Sequence, residues 1–71
     1  MPAFKAKEVV KILKRLGFEE RRQTGSHLIM YHPEKKQIIP VPIHAKDLKK
    51  GLLKAIIKQA ESTEEEFLKL K

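Results

Sequence analysis

Three histidines, His27, His32 and His44, supply imidazoles, the side-chain type whose ordinary proton equilibrium lies near neutral pH. An imidazole in that range gives or takes a proton. The chain around them is basic, with 16 Lys+Arg against 9 Asp+Glu and a formal charge of +7. Together these residue types permit one chemistry in particular. RNA carries its own nucleophile, the 2′-hydroxyl, so its cleavage needs a base, an acid and positive charge to stabilise a pentacoordinate phosphate. DNA lacks that hydroxyl and would not be cut by the same equipment. Other constellations are missing: there is no cysteine, no Gly-rich phosphate loop and no nucleophile elbow. The acids of the body, Glu8, Glu19, Glu20, Glu34 and Asp47, do not cluster in sequence as a magnesium site requires. The histidines are separated by four and eleven residues, which fits no compact zinc pattern. Neither a metal nor a small-molecule cofactor is expected.

Each histidine also has an ordinary reading. His27 opens a strand after a glycine turn and could be a plain surface residue. His32 precedes Pro33 at a turn and reads as structural or solvated. His44 lies in a loop, where it could cap the next helix or touch phosphate. On an ideal strand His27, Ile29 and Tyr31 share one face, while Leu28, Met30 and His32 share the other. Both sets contain apolar residues, so spacing alone leaves the buried face open. Ser26 directly precedes His27, and sequence neighbours on a strand point to opposite faces, so the two need not pair.

The elements that must position these residues follow from periodicity. Ala6, Val9, Ile12, Leu13 and Leu16 recur at three- and four-residue steps, predicting a helix over 5–16 with Lys7, Lys11 and Lys14 on its other side. Gly17 stands where a left-handed residue would stop it, and Arg15 suits the last turn. A short strand at 18–22, a Gln23–Ser26 turn using Gly25, and a strand at 27–32 form a hairpin. A second turn at 33–36 leads to a strand at 37–41, where Pro40 marks a sheet edge or a strand end. Pro42–Ala45 read as a loop, and Lys46 or Asp47 falls near the start of a helix over 49–60. That helix has Leu53, Ile56, Ile57 and Ala60 on its apolar face with Leu52 beside them, and Lys50, Lys54 and Lys58 on another face. Ser62 and Glu65 have capping-box spacing for a helix over 63–70, with Phe67, Leu68 and Leu70 as its apolar contacts. The result is an α+β, two-layer sandwich of α-β-β-β-α order with a short C-terminal helix, the topology of double-stranded-RNA-binding domains.

Size and charge bound what such a fold can do. Seventy-one residues make one small domain, expected to span 1–71, with room for one core and a shallow site. Without cysteine there is no disulfide framework. No apolar run reaches the ~20 residues needed to cross a bilayer, and no signal-peptide pattern opens the chain, so a cytoplasmic protein without a membrane partner is expected. The charge is uneven: residues 1–36 carry +5, residues 37–60 carry +4 and residues 61–71 carry −2. A basic body of this kind meets anions, and nucleic acid leads that list.

The order of motifs resembles the HicA toxins. Gly25-Ser26-His27, a hydrophobic strand, and His32-Pro33 are followed by Val41-Pro42-Ile43-His44, then Leu48-x-x-Gly51, then Leu53-x-x-Ile56-Ile57-Lys58-Gln59-Ala60. The opening helix ending in Leu16-Gly17-Phe18, and Thr63-x-Glu65-Glu66-Phe67, also fit. The chain departs in having Lys50-Gly51-Leu52 where the family often has Pro-Gly-Thr, which removes a rigid helix start. The resemblance implies a double-stranded-RNA-binding-like fold and a ribosome-independent mRNA interferase of a toxin–antitoxin pair. It also implies catalysis by His27, and a HicB-like antitoxin partner that covers the active site.

Three readings follow. In the first the chain is a metal-independent endoribonuclease: His27 is the general acid or base, and Gly25 and Ser26 shape the turn presenting it. Arg21, Arg22, Lys50, Lys54 and Lys58 are then candidate RNA contacts, chosen on spacing. In the second it is a non-catalytic RNA-binding module of the same fold. In the third the basic surface docks an acidic protein.

Overall fold

A computed structural model describes residues 3–44 and 46–71. Their order is α1 (Ala6–Arg15), β1 (Glu19–Thr24), β2 (His27–His32), β3 (Gln37–Pro42), α2 (Lys50–Gln59) and α3 (Glu64–Leu70). The strands form one antiparallel sheet in the order β1-β2-β3, as the α-β-β-β-α pattern predicts. Among the described residues no helix is long and apolar enough to cross a membrane.

Each helix begins and ends for a local reason. At the start of α1 the Glu8 carboxylate accepts the Lys5 backbone N–H at 2.8 Å, satisfying a donor the helix leaves free. At its end Gly17 takes φ +100°. The Gly17 N–H bonds Lys14 O at 3.1 Å and the Phe18 N–H bonds Leu13 O at 2.9 Å, the paired closure of a Schellman motif. α2 closes in the same way, with Glu61 N–H on Lys58 O and Ser62 N–H on Ile57 O, both at 3.0 Å. There Glu61 itself adopts φ +56°, which glycine would adopt without steric cost. α3 starts one residue later than the Ser62–Glu65 spacing suggests. Thr63 is the cap, accepting the Glu66 N–H at 3.1 Å, and the Ser62 hydroxyl instead donates to the Glu66 carboxylate.

One expectation for the α2 start needs correction. The helix begins at Lys50 with Lys49 at the cap position, so His44 does not cap it, while Lys46 and Asp47 precede the start by a few residues. Leu48 is buried and its N–H donates to Phe4 O at 2.9 Å, which ties this stretch to the N-terminal segment. Ala45, the last residue of the expected 42–45 loop, lies outside the described residues, and Pro42 ends β3. Lys50 is the first helical residue, so this lysine stands where a proline would pre-set the helical φ.

The core lies between the helices and the inner face of the sheet. Phe4, Val9, Leu13, Met30, Ile39, Val41 and Phe67 are fully buried, and Ile12, Leu53 and Ile56 nearly so. α1 packs on β1 and β3, α2 on β3, and α3 on both helices. Leu52 and Leu68, read as core-facing neighbours, are 40% and 43% exposed; each sits one position outside the stripe that the helix turns inward. β3 is an edge strand, so Pro40 removes no ladder bond, and the strand continues past it to Pro42.

Candidate active site at the hairpin mouth

Burial decides the question of faces that alternation left open. Met30 and His32 are buried and Leu28 packs against the core, so Leu28, Met30 and His32 face the helices. His27, Ile29 and Tyr31 therefore look out from the opposite, uncovered face of the sheet. His27 is exposed at the first position of β2, paired across the sheet with Thr24 on one side and Pro42 on the other.

The turn that presents His27 has two residues, Gly25 and Ser26, between the paired Thr24 and His27. Gly25 has φ +59° and Ser26 is not among the positive-φ residues, the pattern of a II′ rather than a I′ hairpin turn. A Cβ on Gly25 would meet nothing within 4 Å, so glycine is required for its backbone angle and not for space. Gln23 and Thr24, expected in the turn, continue β1. Ser26 contributes its carbonyl, which accepts the Ile43 N–H at 2.9 Å. That bond ties the loop after β3 to the hairpin and brings exposed His44, the residue after Ile43, to the same end of the sheet.

His32 belongs to a different environment. It is 8% exposed, stands edge-on to Phe18 with centroids 5.0 Å apart, and its Nδ1 accepts the Lys35 N–H at 3.2 Å. Its Nε2 lies over Gly17, where a Cβ would be only 2.7 Å away. His32 is a packing and turn-fixing residue, in agreement with its structural reading.

The expected cationic contacts separate into two groups. β1 carries a bulge between Glu20 and Arg22, and Arg21, the extra residue, places its guanidinium 4.6 Å from the Tyr31 ring centroid. A bulge re-aims side chains in this way. Arg22 pairs with Ile29, so it shares the outer face with His27 and stands on the diagonal from it. Lys50, Lys54 and Lys58 are exposed on α2, a helix packed on β3 and α3; among the described residues no ion pair joins them to the hairpin mouth. The lysines that do gather on that side come from α1 and the loop before α2. Lys7, Lys11 and Lys14 share a groove with Leu28 and Ile43, and Lys46 shares one with Ile43 and Lys7. The four-residue step of Lys7 and Lys11 was visible in the sequence. Their neighbourhood was not, because it depends on how α1 packs on the sheet and on where the loop after β3 lies.

Taken together, the chain is a small basic α+β module with an exposed imidazole on a hairpin mouth. Residues 6–61 of the 71 match the family described as HicA toxin of bacterial toxin–antitoxin. The chain belongs to this HicA toxin family, and the resemblance in its motifs is thereby explained. A search of curated proteins gave no match.

Proposed function

We propose that this toxin, as a single domain over residues 1–71, is a metal-independent endoribonuclease that cleaves mRNA and is neutralised by a HicB-like antitoxin. The observation that carries this reading is His27: exposed, at the end of a strand, on the uncovered face of the sheet, in a chain of the HicA family. In the proposed reaction a base removes the proton of the 2′-hydroxyl and the 2′-oxygen attacks the adjacent phosphorus. The bond from phosphorus to the 5′-oxygen breaks, and an acid returns a proton to that oxygen. The products are a 2′,3′-cyclic phosphate and a 5′-hydroxyl. His27 takes one of the two proton roles. Arg22, diagonal to it on the same face, supplies positive charge for the phosphorane, with Arg21 held nearby on Tyr31. Gly25 and Ser26 set the turn. Lys50, Lys54 and Lys58 are more distant candidates for phosphate contact, adding general attraction and salt dependence. The proposed site is cytoplasmic, as mRNA requires.

The test is growth. Expression of the wild-type chain is expected to arrest a bacterial culture, and His27→Ala, at equal protein level, is expected to leave growth unchanged. Equal arrest by both chains contradicts the catalytic role of His27.

A further inference from the structure

Two adjoining grooves, of about 490 and 320 Å³, run along α1 and share Ala6, Lys7 and Ile43. Their floor is apolar: Val10 and Leu28 are partly buried against the core, and Ile43 is half-buried. Their rim is cationic, with Lys5, Lys7 and Lys11 from α1 and the residue before it and Lys46 from the loop before α2; Asp47 is the one acid at the margin. Lys14 also lines the second groove but is engaged with Glu20. Among the described residues Lys7, Lys11 and Lys46 have no ion-pair partner.

We infer that these grooves form a nucleotide subsite for single-stranded RNA, with a nucleobase on Val10, Leu28 and Ile43 and flanking phosphates on Lys7, Lys11 and Lys46. This rests on the ribonucleolytic reading for its place in catalysis. Its binding claim stands independently. An apolar floor inside a lysine rim fits a ligand that is flat and apolar in one part and anionic in the next. A base has that flat surface only when unpaired, because a duplex buries the faces of its bases and presents backbone. The position gives a second argument. Ile43 is bonded to Ser26, adjacent to His27, but Leu28 and His27 point to opposite faces of β2. A strand that occupies the groove and reaches His27 must turn around the end of the sheet, which a single strand does readily and a duplex does not.

The experiment measures binding of a fluorescent single-stranded RNA oligonucleotide, and of its duplex, to the full His27→Ala chain across a salt series. Lys7→Gln with Lys11→Gln is expected to weaken single-strand binding roughly tenfold or more near 0.1 M salt. It is also expected to lower the slope of log K against log salt by roughly 1.4, at about 0.7 per lost phosphate contact. The control pair Lys36→Gln with Lys69→Gln removes the same charge elsewhere and is expected to change affinity less than about twofold. Ile43→Ala, checked for an unchanged far-UV spectrum, is expected to weaken RNA binding while leaving binding of inorganic polyphosphate unaltered. Equal losses in the two lysine pairs overturn the subsite. So does duplex binding as tight as single-strand binding, or polyphosphate or poly-glutamate competing as well as RNA at equal charge; the last result would assign the groove to an acidic protein. If wild type cuts RNA and Lys7→Gln/Lys11→Gln leaves KM unchanged, the groove fails and the ribonuclease reading survives. If wild type cuts nothing yet the binding differences hold, the reverse is true.

Discussion

At the scale of single residues, backbone angles do as much as side-chain chemistry. Gly17 must satisfy two conditions at once: φ +100° to close α1, and an empty Cβ position beneath the His32 imidazole. Gly17→Ala therefore combines left-handed strain of about 1 kcal/mol with a 2.7 Å clash against a packed ring. A loss of about 2 kcal/mol or more in urea denaturation is expected, while an unchanged midpoint would show that neither constraint is real. Helix-stop chemistry made Gly17 legible in the sequence. The second condition was not legible, because it couples residues fifteen positions apart through the fold. Glu61 illustrates the opposite case: nothing in its residue type announces a left-handed stop. Its carboxyl pKa is lowered, first by a hydrogen bond from Lys35 and then by that lysine's charge, at an N–O distance of 2.8 Å. A depressed carboxyl pKa adds stability above the ordinary carboxylate range, and that stability is lost as pH falls through the folded-state value. Melting curves of wild type and Glu61→Gln are expected to differ slightly at pH 6 and to converge on acidification toward pH 3. The exposed position keeps the effect small, and a gap that widens on acidification would contradict the sign.

At the scale of elements, α3 is the piece whose contribution is easiest to underestimate. Its first turn is acidic and the helix is only seven residues long, too short to persist in isolation. What holds it is Phe67, fully buried and edge-on to Phe4 with centroids 6.2 Å apart. Lys71 then reaches back to Ala3 O at 2.8 Å and lies over the Phe4 ring. Phe67→Ala is expected to cost about 3–5 kcal/mol, comparable with the whole stability of a domain this small, ~4–10 kcal/mol. Urea unfolding monitored by far-UV circular dichroism measures it, and a loss under ~1 kcal/mol would mean α3 is dispensable to the core. Helix periodicity made α1 and α2 legible to within a residue or two, since their stripes are long and regular. The hairpin was legible from Gly25 and the β-rich run after it. Less legible were β1, whose six residues are all exposed, and the one-residue shift of the α3 cap, where Ser62 and Thr63 both have suitable hydroxyls.

At the scale of the molecule, sheet and helices divide the labour. The inner face of β2 and β3 buries Met30, Ile39 and Val41 under the helices, which leaves the outer face free to carry His27, Arg22 and the Arg21–Tyr31 stack. The net charge of +7 attracts polyanions in general; where it acts depends on the fold. Spacing put forward Lys50, Lys54 and Lys58 as RNA contacts, yet the lysines grouped beside the hairpin are Lys7, Lys11 and Lys46, because α1 packs on the sheet and the backbone bond from Ile43 to Ser26 folds the loop onto the turn. Which imidazoles are available is also a property of the whole: three are present in the chain, and packing commits His32 while leaving His27 and His44 exposed. The most direct measurement of the central claim is incubation of the purified chain with RNA in EDTA, followed by analysis of the new ends. Wild type is expected to yield 2′,3′-cyclic phosphate and 5′-hydroxyl termini, and His27→Ala, with an unchanged melting temperature, none. Intact RNA with wild type, or equal cleavage by His27→Ala, would contradict it.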